Sequence, residues 1–193
     1  QSIDETITVI PYGNTISNPV IPFADEIVSC PNNGKALPNI FLCGANATKA
    51  ITTGISDATS ISWQKLDENS CTAITIEDCA NESATCTWNE VGTGPNYTAN
   101  TSGQFRIVIN YPGGCYSIFY FNVYQNVLNP TATSRDIICT TLGQITVGGV
   151  PSGYEYSLDG SNFQPSNVFS ISTAGLYTVY IRQIGVDTNP CIF

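Results

Sequence analysis

The sequence predicts an all-β protein. Apolar residues show no sustained helical periodicity. They fall instead in short runs rich in Val, Ile, Tyr and Phe, the side chains that suit a pleated, half-buried surface. The runs are punctuated by 16 Gly and 11 Pro, with abundant Ser, Thr and Asn between them. At 193 residues and 42% hydrophobic content, the chain has room for one large domain or two small ones.

Residues 5–10 (ETITVI) read as a first strand, followed by linker-like PYGN and NPVIP. Residues 1–27 are therefore assigned as a strand and linker from or toward a preceding module. A second region, 28–127, carries the clearest strand pair. In 103–110, Phe105, Ile107 and Ile109 alternate with Gln104, Arg106 and Val108. The turn Tyr111-Pro-Gly-Gly follows, and 115–124 returns. Residues 125–133 (QNVLNPTAT) contain a proline and few bulky side chains, which places a domain boundary near 128. In the third region, 128–193, strands are expected at 144–147 and 154–158. A turn follows at Asp159-Gly160, and a long final strand covers 175–182.

Region 28–127 has the logic of an immunoglobulin-like β-sandwich. Trp63 stands where a core tryptophan falls on the third strand, and Thr101-Ser-Gly-Gln-Phe105 leads into a long sixth strand. Phe105 replaces the tyrosine that would make a tyrosine corner, and Ile107 stands in place of the inter-sheet cysteine. Leu66 to Thr87, carrying Cys71, Cys79 and Cys86, reads as an insertion too polar to hold itself by packing.

Composition excludes several function classes. Six Lys and Arg against 15 Asp and Glu give a net charge of −9, which argues against nucleic acid. Histidine is absent, removing the commonest general base and zinc ligand. No P-loop, G-x-S-x-G or H-E-x-x-H occurs, and nothing places two carboxylates across a cleft, so no enzymatic activity and no cofactor are expected. No apolar run reaches the roughly 18 residues of a membrane span. Methionine is also absent, so the chain is expected to be a processed product or a piece of something longer.

The eight cysteines, Cys30, Cys43, Cys71, Cys79, Cys86, Cys115, Cys139 and Cys191, form no C-x-x-C. An even, widely spaced set without histidine reads as a disulfide framework made in an oxidising compartment. The competing reading is a set of reduced cysteines packed as small hydrophobes. Oxygen-ligand candidates for calcium are Asp67-Glu68, Glu77-Asp78 and Asp159 with Asn162, with Glu26 or Asp136 at domain junctions. None has EF-hand spacing, and Asp159-Gly160 is more simply a turn, so no metal site is assigned. Tyr116, Phe119, Tyr120, Phe121 and Tyr124, and likewise Tyr154, Tyr156, Tyr177 and Tyr180, could stack on sugars but read as core and cross-strand packing. Asn-x-Ser/Thr sequons occur at Asn46, Asn81, Asn96 and Asn100.

Region 128–193 presents Cys139, Gly143-Gln-Ile145, Tyr156-Ser-Leu-Asp-Gly160, Phe163 through Ser166 to Phe169, and Ala174-Gly-Leu-Tyr-Thr-Val179. In this pattern it resembles the SprB-type repeat of Bacteroidota cell-surface adhesins. The preceding region resembles the Ig-like or PKD-like modules of such proteins through Leu42-Cys-Gly44, Trp63, Ser102-Gly-x-Phe105 and Gly114-Cys115. The resemblance implies tandem, disulfide-braced Ig-like β-sandwiches from the stalk of a long adhesin exported by type IX secretion. Such proteins act in cell adhesion or gliding motility at the cell surface. Expected partners are neighbouring modules of the same chain and a surface polysaccharide.

Cys139 and Cys191, the only cysteines of the last region, are expected to pair, unless Cys191 is free or bonded to a following segment. By analogy with related modules Cys43 would pair with Cys115. Cys71 would close the insertion with Cys86 or Cys79, leaving Cys30 to take what remains. The alternative function is a carbohydrate-binding module or an accessory domain of a secreted hydrolase.

Overall fold

The computed structural model describes residues 37–71, 79–185 and 191–193. The expected strand at 5–10, the linker after it, Glu26, Cys30, Glu77 and Asp78 lie outside the described residues. Those described form β-strands and a single 3-10 turn, with no α-helix among them. In chain order the strands are β1 (Asn39–Cys43), β2 (Lys49–Thr52), β3 (Ser60–Asp67), β4 (Thr87–Thr93), β5 (Asn96–Ala99), β6 (Gly103–Asn110) and β7 (Tyr116–Asn126). They continue with β8 (Thr131–Arg135), β9 (Gly143–Gly148), β10 (Tyr154–Ser157), β11 (Val168–Ile171) and β12 (Tyr180–Gln183). The 3-10 turn is Glu68–Ser70.

The chain divides into two compact units. Unit 1 holds the described residues up to Ile40 together with Thr48–Tyr124, and unit 2 holds Phe41–Ala47 with Gln125–Phe193. Among the described residues four sheets are present, in the orders β1-β7-β6-β3-β4, β2-β5, β11-β9-β8 and β10-β12.

Unit 1 is built on the alternation legible in β6. Because successive side chains point to opposite faces, Phe105, Ile107 and Ile109 share one face. The antiparallel register places Trp63, Ile107 and Phe119 in one row across β3, β6 and β7, and Lys65, Phe105 and Phe121 in the next. Trp63, Phe105, Ile107 and Phe121 are completely buried. Phe105 stacks on Phe121 with ring centroids 5.4 Å apart, and Tyr97 of β5 stacks on Trp63 at 5.2 Å. The indole Nε1 of Trp63 donates to Gly94 O at 2.9 Å, so the largest core side chain keeps no unpaired donor. On the opposite face, Arg106 lies over the Trp88 ring at 4.5 Å and donates to Gln64 Oε1 at 2.6 Å. The β6–β7 turn uses left-handed Gly113 and Gly114, and Tyr111 N donates to Cys115 O at 2.8 Å across it.

Unit 2 has a smaller core: Val147, Tyr156, Phe169, Ile171 and Ile181, flanked by half-buried Leu128, Ile145, Val179 and Phe193. The segment from Phe41 is bound to it through backbone and amide groups. Gly44 N donates to Asn126 O at 2.7 Å, and Gln125 Nε2 donates to Ala45 O at 2.9 Å.

The boundary stretch 125–133 carries strand residues at both of its ends, a detail the sequence reading did not give. β7 runs to Asn126 and β8 begins at Thr131, pairing with β9 from Thr131↔Gly148 to Arg135↔Gln144. All five β8 residues are exposed, so backbone pairing rather than burial makes this strand and hydropathy does not reveal it. The final strand is shorter than expected. β12 starts only at Tyr180, opposite Ser157 of β10. The turn at Asp159 ends β10 there, so residues 175–179 meet no partner strand among the described residues, and Leu176 is fully exposed.

Candidate functional site

The chemistry-bearing groups that the structure brings together are the cysteines and the polar side chains around them. Cys71 is bonded to Cys86, closing the insertion between β3 and β4. Cys43 is bonded to Cys191, across a sequence separation of 148 residues. Cys79 is disulfide-bonded as well. Cys115 and Cys139 are free and exposed.

The pairing differs from expectation at Cys139, Cys191, Cys43 and Cys115. Assigning one bridge to the cysteines beyond residue 128 assumed that unit 2 is a continuous stretch of chain. It also contains Phe41–Ala47, which brings Cys43 to it. Phe193 pairs with Ile181 of β12 through hydrogen bonds of 2.9 and 3.0 Å, and Cys191, just before it, is 1% exposed. Cys139 instead sits in an exposed turn closed by Ile138 and Thr141, with φ of +51°. Cys115 occupies the exposed end of the β6–β7 turn.

The Cys71–Cys86 loop is held by a polar network. The 3-10 turn opens with Asp67, whose Oδ1 accepts from Asn69 N at 3.2 Å, and Ser70 Oγ donates to Asp67 O at 2.6 Å. The other limb is anchored by the buried Gln104 amide, which accepts from Asn81 N at 2.7 Å and donates to Cys79 O at 2.9 Å. Asn81 Nδ2 donates to the Cys71 sulfur at 3.3 Å. Sequence reasoning placed Gln104 only among the residues alternating with Phe105, Ile107 and Ile109 on β6. The available signal was a glutamine beside a strand-initiating glycine.

Asp159 is saturated by its own turn. Its Oδ1 accepts from Ser161 N (2.8 Å), Asn162 N (2.7 Å) and Ser157 Oγ (2.8 Å), and its Oδ2 accepts from Asn162 Nδ2 at 2.6 Å. These bonds, those from Asn162 foremost, hold its carboxyl well below the usual carboxylate range. Asp67 and Glu68 lie together at the 3-10 turn, whereas Asp136 is exposed on unit 2. Among the described residues, no group of three or more Cys, Asp or Glu could hold a metal ion.

Of the aromatic candidates, Phe119, Tyr120, Phe121 and Tyr156 are buried; Tyr124, Tyr154 and Tyr180 are half-buried; Tyr116 and Tyr177 are exposed. Burial raises the Tyr120 and Tyr97 hydroxyls above the usual tyrosine range. Tyr154 OH donates to Asn126 Oδ1 at 2.9 Å. The sequon asparagines Asn46, Asn96 and Asn100 are exposed, but Asn81 is buried.

No family model matches the chain, and no curated protein matches it significantly.

Proposed function

We propose that this chain is a non-enzymatic spacer from the stalk of a long extracellular bacterial adhesin, built of tandem Ig-like sandwiches of the SprB-repeat kind. The observation that carries the reading is the Cys43–Cys191 bond, which ties the first segment of unit 2 to its last one. A core of five buried residues with a few flanking ones is small for an independent unit, and cross-links are how small secreted domains compensate. A covalent closure also limits how far such a unit extends under load. The low charged fraction of 11% with a net charge of −9 suits a solvated array that does not self-associate. Its partners in this reading are the neighbouring modules of the same chain and a polysaccharide met at the far end.

The test is to label intact cells of the source organism with an antibody against this chain. Label held at the cell surface, moving or static, supports an adhesin stalk. Label found only in the medium, or only after the cells are lysed, overturns it.

A further inference from the structure

Unit 1 contains a cavity of about 630 Å³ where β3 leaves its sheet and the starts of the 3-10 turn and β6 meet the end of β7. Its polar lining includes Lys65, Asp67, Glu68, Asn69, Asn122 and Tyr124. The volume falls within the range of small-ligand sites.

The walls are fixed. Asp67 caps the 3-10 turn, and both ends of the Gln104 amide are held. Lys65 lies over the Phe105 ring, with Nζ 5.7 Å from its centroid, and donates to Thr101 Oγ1 at 3.3 Å. Gly103, at φ +134°, makes that path available, because a Cβ there would come within 2.8 Å of Lys65 Cε. Against this rigid frame, Glu68 and the side-chain amide of Asn69 are exposed. Neither the Glu68 carboxylate nor that amide has a protein partner among the described residues.

Two carboxylates facing one ammonium disfavour a phosphate or another anion. Leu66 and Val123 give the same lining an apolar part beside these polar groups. Carboxylate acceptors, amide donors and acceptors and a phenol ring in one cavity match a ring whose every hydroxyl both donates and accepts and whose C–H face is apolar. We propose that this cavity binds a neutral hexopyranose. Asp67 and Glu68 accept from its hydroxyls, the Asn69 amide bonds a neighbouring hydroxyl, and Tyr124 packs against the ring. The proposal goes beyond the spacer reading, which requires no ligand in this unit, and its failure leaves the cell-labelling result untouched.

The test is amide NMR of the intact chain titrated with glucose, galactose, mannose, N-acetylglucosamine and their disaccharides, with inorganic phosphate as the contrasting probe. At least one sugar should give saturable shifts at Glu68, Asn69, Ser102 and Gly103. Glu68→Ala and Asn69→Ala, both at exposed positions, should weaken that binding by about tenfold or more while the rest of the spectrum is unchanged. The proposal is overturned if no sugar produces saturable shifts, if the shifts fall only elsewhere, if phosphate moves the same amides, or if both variants bind as the parent does.

Discussion

Gln104 holds Asn81 by its backbone: the buried glutamine carbonyl accepts from Asn81 N at 2.7 Å, although the two residues are 23 positions apart. With its nitrogen on Cys79 O, one side chain supplies both partners for a returning loop limb. Gln104→Leu keeps the bulk and removes both bonds. With each of the two stranded buried polar groups costing about 1–3 kcal/mol, the variant should lose about 2–6 kcal/mol in urea unfolding. A loss within experimental error would show that water replaces the amide.

The thiol pattern gives a second expectation. Treating the native, unreduced chain with a maleimide and mapping its peptides should find label on Cys115 and Cys139. Cys43, Cys71, Cys79, Cys86 and Cys191 should be protected. Label on Cys191 would contradict the closure of unit 2.

Removing that closure should be costly. In the chain-entropy account a loop of this separation is worth about 5 kcal/mol, and the Cys71–Cys86 loop about 3 kcal/mol. Cys43→Ser should therefore lower the melting temperature more than Cys71→Ser does. Cys115→Ser, at an exposed free position, should shift stability by less than about 0.5 kcal/mol.

Trp63 and Trp88 differ in burial and should differ in emission. Trp63→Phe removes the fully buried indole and its bond to Gly94 O, leaving the half-buried Trp88 as the emitter. The spectrum should shift to longer wavelength. Stability should fall by about 1–3 kcal/mol from the stranded carbonyl and the lost ring contacts.

The titration of Asp159 has a definite sign. Its pKa is depressed in the folded chain, so its contribution is present above the ordinary aspartate value near ~3.9 and is lost as pH falls through the lower folded value. The Ser161 and Asn162 amide resonances should hold their positions through the ordinary aspartate range and move only at lower pH. In Asp159→Asn that transition should vanish. At the alkaline end the burial-raised hydroxyls of Tyr97 and Tyr120 stabilise the fold below pH ~10. That stability is lost as pH rises through their higher folded values, so their tyrosinate absorbance should appear only above the ordinary tyrosine range.

What the sequence disclosed follows from how strongly each residue is constrained locally. The alternation of Phe105, Ile107 and Ile109 and the Pro-Gly-Gly turn are local signals, and β6, its turn and most of β7 were legible from them. The burial of Trp63 followed from its place in the same pattern. The Cys43–Cys191 pairing was not legible, because it depends on the segment from Phe41 joining the distant end of the chain. No local pattern encodes that return. β8 escaped notice for the opposite reason: Thr131, Ala132, Thr133 and Ser134 carry no burial signal and are ordered by β9. The pattern at 175–179 is strand-like, but the turn after Ser157 removes the partner it would need. The cavity beside Glu68 was invisible because its lining comes from three separate stretches of chain.

The Cys43–Cys191 bond also changes what a protease can accomplish. Residues 44–190 lie within one covalent ring, so a single backbone cut anywhere among them linearises the ring without separating the pieces. A chain nicked there stays in one piece until it is reduced, and a second cut inside the ring is needed to release any part of the ring. The exposed stretch around Leu176, an obvious place for such a nick, can therefore be severed while the two sides remain one molecule.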